Sequence, residues 1–153
     1  MRQLIRKTHE SDASDTLTLD YERRQKSRQR AVLDSGGEVG ILLAPGTKLR
    51  DGDVLVDAAG QGVRVRAAEE SLSEARADQP SALARAAYHL GNRHVPVEIG
   101  EGCVRYAHDH VLDDMLRGLG FTVLAVRAPF EPEGGAYGGH SHAHGHHHHS
   151  HDP

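Results

Sequence analysis

The chain has a single cysteine, Cys103, and no tryptophan among its 153 residues, and only 4% of them are aromatic. One thiol makes no internal disulfide, which fits a reducing compartment and excludes a disulfide-framed fold. The start, MRQLIRKTHESDASD, is basic but has no apolar run of the kind a signal peptide carries. No segment approaches the about twenty apolar residues of a membrane span. The chain is therefore expected to be cytoplasmic and without a membrane partner. Excess positive charge is missing as well: the formal net charge is −4 and the pI near 6.3, so nothing draws the chain to nucleic acid. The motifs of several enzyme classes are also absent. There is no Walker loop, no Gly-x-Ser-x-Gly, no His-Glu-x-x-His helix and no pair of cysteines.

Imidazole is the one reactive group present in quantity. Of thirteen histidines, His89, His94, His108 and His110 fall between Tyr88 and Met115, and eight more close the chain. At 37% hydrophobic residues the chain has enough apolar material for two modest cores rather than one large one. The first domain, residues 1–70, is read as all-β. Its short alternating segments, Thr16–Leu19, Val39–Leu43, Val54–Val56 and Val63–Val65, are separated by turn formers at Gly36-Gly37, Pro45-Gly46, Asp51-Gly52 and Gly60-Gln61-Gly62. That spacing predicts a small antiparallel barrel or sandwich. His9 is read as a surface histidine in a mobile start. The basic run from Arg23 to Arg30 is either a docking patch or, in the blander reading, solvated strand and loop charge; no aromatic is interleaved to stack a base.

From about Glu69 the pattern changes to strand, helix, strand, strand, helix, strand, the order of a ferredoxin-like domain over residues 71–137. Ser71–Ala75 reads as a short strand. Asp78-Gln79-Pro80-Ser81 starts a helix of about ten residues, with proline tolerated in the first turn and Gly91 suited to the left-handed stop. That helix carries His89 to its last turn and His94 into the loop beyond. Val95–Ile99 and Val104–Ala107 read as strands, Asp109 as the cap of a helix along Val111, Leu112, Met115, Leu116 and Leu119, Gly120 as its stop, and Phe121–Val126 as the closing strand. After Pro129-Phe130-Glu131-Pro132-Glu133 the core-forming residues end, and residues 138–153 read as a His-rich tail expected to be disordered without metal.

Neutral imidazole suits nickel, copper and zinc, and its reference pKa of about 6.5 leaves it mostly deprotonated at neutral pH. His89, at a helix end, reads as a structural residue interacting with the helix dipole. His94 lies in a polar loop, Gly91-Asn92-Arg93, where no apolar pattern calls for a ring. His108 and His110 are two apart, so at a strand end both point to one side, as a chelating pair requires, while Asp109 points away to cap the helix. The tail residues His140, His142, His144, His146, His147, His148, His149 and His151 stand among Ser, Ala, Gly, Asp and Pro with no core to serve, so metal binding is the physical reading of that composition. Ser, Ala and Gly interrupt the run, unlike an affinity tag. A catalytic metal needs three fixed ligands and a neighbouring acid or base, and that set is not evident, so no catalytic residue is assigned.

Several segments together carry a resemblance: Leu17-Thr-Leu with Glu22-Arg23 and Arg28-Gln-Arg30; Leu49-Arg-Asp-Gly-Asp53; Tyr88-His-Leu-Gly-Asn-Arg-His94; Arg105-Tyr106; Asp109-His-Val-Leu-Asp-Asp-Met-Leu116; and Pro129-Phe-Glu-Pro-Glu133 with Gly135-Ala-Tyr137. In this order, and with a His-rich end, they resemble the UreE family of urease accessory nickel metallochaperones. The resemblance implies a homodimer built on the ferredoxin-like domain, with an N-terminal domain that contacts partners. It implies that His94 lies near the dimer two-fold, where both copies bind one Ni(II), that His108 and His110 are an additional metal-binding pair, and that the tail is auxiliary. It names the partners as the urease accessory GTPase and the urease apoprotein. Glu98 departs from the glutamine many relatives carry there. Zn(II) and Cu(II) compete for the same donor type. The alternatives are a histidine-rich metal buffer or sensor without a delivery role and, third, a zinc-dependent hydrolase.

Overall fold

The N-terminal segments become strands because each has one apolar face to bury. The computed structural model describes residues 1–9 and 12–135. In chain order its first elements are β1 (Arg2–Leu4), β2 (Arg6–Thr8), β3 (Asp15–Leu19), α1 (Tyr21–Arg24), β4 (Arg28–Val32), β5 (Glu38–Leu42), β6 (Val54–Val56) and β7 (Gly62–Ala67). They form two sheets, ordered β1-β5-β4 and β2-β6-β7-β3. Both sheets contribute to one core, with Leu4, Val39 and Ile41 from the first meeting Leu17, Leu19, Leu55, Val63 and Val65 from the second.

This differs from the expected antiparallel barrel or sandwich in two ways. The described residues close no barrel, and two of the pairings are parallel, β1 with β5 and β3 with β7. Turn chemistry read along the sequence reports only strands joined by a tight turn, such as β4 and β5 across Gly36 and Gly37, both at positive φ. A parallel pair is joined by a longer excursion and leaves no local signal. The first residues are not a mobile start either: β1 and β2 are paired strands, and Leu4 is fully buried. They escape the alternating pattern because each is only three residues long.

The remaining elements are β8 (Glu69–Arg76), α2 (Pro80–Asn92), β9 (Glu98–Gly100), β10 (Cys103–Ala107), α3 (His110–Gly118) and β11 (Thr122–Pro129). They make one antiparallel sheet, ordered β11-β8-β10-β9. β8 runs longer than Ser71–Ala75 because β11 pairs with it along all eight residues. Ala86 and Leu90 of α2 share a core with Leu112 and Leu116 of α3 and with Ala75, Val104 and Tyr106 of the sheet, so both helices lie on the same sheet face. Pro80 occupies the first turn of α2, where its missing N–H is not needed. The Asp109 carboxylate caps α3, accepting from the N–H groups of Val111 at 2.8 Å and Leu112 at 3.3 Å. Among the described residues no helix is long and apolar enough to cross a membrane.

The basic run is not all solvated strand and loop charge. Arg23 and Arg24 end a short helix, Arg28 and Arg30 sit on β4, and Arg24 is buried rather than solvated. Its guanidinium donates Nε–H to the Leu19 carbonyl at 3.1 Å, and its two terminal nitrogens donate to the Phe130 carbonyl and the Glu131 carboxylate. Tyr21 meets Phe130 edge-on at 5.4 Å, and Glu131 also accepts the Asp51 N–H at 3.1 Å. The Pro129–Glu133 segment therefore docks onto α1 and the loop before β6. A buried guanidinium is tolerable only when its donors are taken, and here the partners come from both ends of the chain.

Removing a partner from such a pair leaves the other groups unsatisfied. Arg24→Ala should lower unfolding free energy by about 3 kcal/mol, the low end for breaking a buried pair because Glu131 keeps some solvent contact. Urea denaturation measures it, and a loss below about 1 kcal/mol, the scale of an exposed pair, would show that the contact is not structural.

Candidate metal-binding site

His94 is placed by the way α2 ends. The Val95 N–H returns to the Leu90 carbonyl at 3.2 Å and the His94 N–H to Gly91 at 3.0 Å, the two-bond pattern that closes a helix through a left-handed residue. Glycine normally takes that position, but here it is His94, at φ 58°, the only non-glycine with positive φ among the described residues. Gly91, the expected stop, stays inside the helix instead. Val95 joins the core that holds Leu90, which anchors the turn and leaves His94 exposed above it. Histidine is one of the few non-glycine residues that adopt this conformation readily.

The strap after His94 is held from two sides. The Val97 carbonyl accepts the Glu133 N–H at 2.8 Å, and Glu98 Oε1 accepts the Glu131 N–H at 2.8 Å. Glu98 Oε2 faces Arg105 at 3.7 Å, and Arg105 Nε in turn donates to Glu74 at 2.8 Å. Glu98 is thus engaged in fixing the Phe130–Glu133 segment, and an amide oxygen would serve the Glu131 N–H as well as a carboxylate does. Val97 is three residues beyond His94, so the chain comes back to the His94 strap at Glu133.

His108 and His110 are divided by a helix start, since Asp109 is extended and His110 is the first residue of α3. Their two-residue spacing is therefore not that of one continuous strand. The His108 N–H is still held to β8 through the Ser71 carbonyl at 3.1 Å. Its ring sits with Nδ1 3.2 Å from Ser73 Oγ and 3.4 Å from Asp113 Oδ2, and Asp113 also accepts the Tyr106 hydroxyl at 2.7 Å. His110 is exposed. His89 packs edge-on against Tyr88 at 5.4 Å and is partly buried in the last turn of α2. Among the described residues no three His, Cys, Asp or Glu side chains come together as a metal-holding group. The tail histidines, His140 to His151, lie outside the described residues.

Residues 1–68 match the family model described as the UreE urease accessory protein N-terminal domain, and residues 70–153 match that of its C-terminal domain. The chain belongs to the UreE family. Its relatives include urease accessory protein UreE of Alkalilimnicola ehrlichii, 63% identical over 83% of this chain and 78% of that protein. The UreE of Pseudomonas putida is 60% identical over 88% of this chain and 84% of its own, and that of Teredinibacter turnerae is 52% identical over 86% and 87%. A UreE protein is an accessory chaperone of urease maturation, not an enzyme, in keeping with the missing catalytic motifs.

Spacing alone missed Ser73, Tyr106 and Asp113 around His108, because Ser73 is 35 residues away along the chain and reaches the ring only through β8–β10 pairing. It also missed the role of Glu74. Burial raises the Glu74 carboxyl, but hydrogen bonds from Arg76 and Arg105 outweigh it and hold the pKa below the usual 4.5. A lowered folded pKa means stability that is present above the unfolded value and lost as pH falls through the folded one. Glu74→Gln should thus destabilise the fold at neutral pH and flatten the loss of thermal stability below 4.5. Melting temperature followed from neutral to acidic pH checks this, and an unchanged acid limb in the variant would refute it.

Proposed function

We propose that this UreE protein is a nickel metallochaperone that binds Ni(II) through histidines and delivers it to the urease apoprotein. The observation that carries the reading is His94, an exposed imidazole occupying a left-handed helix stop. One such histidine cannot hold a cation, but a two-fold axis supplies a second, and a homodimer thereby completes a site that one chain lacks. Exposed Tyr88, Ile99 and Val111 on α2, on edge strand β9 and on α3 provide apolar surface for a second copy. In this reading residues 71–137 are a ferredoxin-like metal-binding and dimerisation domain, residues 1–70 a partner-contacting β domain, and residues 138–153 a metal-capturing tail.

The tail histidines take Ni(II) in weak, interchangeable sets, His108 and His110 add intermediate donors, and the His94 pair receives the ion. Anchoring of Glu133 at Val97 keeps the donors tethered near the acceptor, so transfer is an intramolecular exchange at high effective concentration. Imidazole ligands alone favour copper over nickel, so Zn(II) and Cu(II) enter the same sites wherever they are available. Release goes to the cytoplasmic urease activation complex, including its accessory GTPase, by ligand exchange.

Equilibrium dialysis with Ni(II) tests the site order. His94→Gly relieves the strained backbone, so the variant should fold while losing the tightest site and keeping several weaker ones. An intact tight site in that variant ends the claim for His94. Ending the chain at Gly139 should lower the nickel stoichiometry and spare the tight site, whereas total loss would make the tail the main site. Delivery is tested separately: the GTPase should be retained by the immobilised chain more strongly with Ni(II) than with chelator, and retention indifferent to nickel would leave a buffer rather than a chaperone.

A further inference from the structure

The His108 ring differs from the other candidate donors in having one edge built into the protein. Ser73 and Tyr106 are fully buried, Asp113 is 4% exposed, and the His108 side chain is half exposed. The Tyr106 hydroxyl donates to Asp113 Oδ1 at 2.7 Å. The phenol is the donor of that pair because a carboxylate can only accept. The Ser73 hydroxyl, which can accept as well as donate, lies against the ring of His108.

The carboxylate decides the role of Nδ1. The ring nitrogen faces the Ser73 oxygen at 3.2 Å and the second Asp113 oxygen at 3.4 Å, and a carboxylate only accepts. A lone pair on Nδ1 would be aimed at that oxygen, so the geometry favours the hydrogen on Nδ1 and the lone pair on Nε2. Among the described residues His108 is the sole ion-pair partner of Asp113. The buried carboxylate otherwise relies on the phenol and on the first turn of α3, whose positive end it occupies. Positive charge placed on the imidazole by a bound cation would be met by that carboxylate through the ring, as a carboxylate does behind a metal-ligating histidine. Neither His94 nor His110 makes a side-chain hydrogen bond among the described residues, so neither ring is held in this way.

We propose that Ser73, Tyr106 and Asp113 form a buried clamp that fixes His108 as its Nδ1–H tautomer, making Nε2 the donor atom and Asp113 the positioning residue that raises its affinity for divalent cations. The proposal rests on the reading of His108 as a metal ligand. It separates the two members of the His108/His110 pair: His108 is preorganised, and His110 must lose ring freedom on binding.

The test uses the full chain labelled with nitrogen-15, kept at mildly alkaline pH so that each ring is read as a neutral tautomer. Long-range proton–nitrogen correlation reads the tautomer of each ring, with His108 assigned by its loss in His108→Gln. His108 should be Nδ1–H, while the exposed rings favour Nε2–H. Diamagnetic Zn(II) is then titrated and the midpoint of the His108 ring shift is followed. Asp113→Asn should weaken that midpoint by about tenfold, the lower end for loss of an outer-sphere partner, with the His94 response unchanged. An Nε2–H tautomer in the unsubstituted chain overturns the proposal without any variant, so it remains decidable even if Asp113→Asn fails to fold. Zinc binding with an equal midpoint in Asp113→Asn overturns it while sparing His108 as a ligand. A His108 ring that zinc never shifts overturns both.

Discussion

The buried guanidinium of Arg24 is the contact through which the two halves of the chain communicate. Its donors are divided between Leu19, in the N-terminal sheets, and Phe130 and Glu131, in the segment that follows β11. Because a buried cation must have its donors taken, the position of α1 and the path of the chain after β11 are set together. Glu131 and Glu133 in turn bind the strap beyond His94, at Glu98 and Val97. A change in the first sheets is therefore mechanically close to the candidate metal site, although Arg24 and His94 are far apart in sequence.

His94 and His108 show two different ways of giving a histidine a purpose. At His94 the backbone carries the cost: a residue with a Cβ takes a left-handed helix stop, and its side chain is left exposed. At His108, just past the end of β10, the side chain is held, with Ser73, Asp113 and Tyr106 behind one ring nitrogen. In the proposed dimer, the first arrangement would suit a donor that meets its symmetry mate across an interface. The second suits a donor whose orientation is decided within one chain.

Much of the C-terminal half was legible because its signals are local. Pro80 at a helix start, Asp109 as a cap, Gly120 as a stop and the Val111–Leu112–Met115–Leu116 spacing all act within a few residues. The N-terminal half was harder. Strand β4 begins inside the basic run and turns only Ala31 inward to the core, so its alternation is hidden beside exposed arginine. The three-residue strands β1 and β2 are too short to display a period, and the parallel pairings follow from contacts made far along the chain.

By itself the sequence determined the candidates: histidine as the group to explain, at His94, His108, His110 and the eight in the tail, and the family that the ordered motifs resemble. Residue type and spacing are properties of the chain, so they could be read there. Tertiary structure alone decided that Arg24 is an internal link rather than a surface charge, that His94 and not Gly91 closes α2, and that Ser73, Tyr106 and Asp113 stand behind His108. Each of these depends on which groups are removed from water together and must satisfy one another's hydrogen bonds, and burial of that kind arises only when distant segments pack.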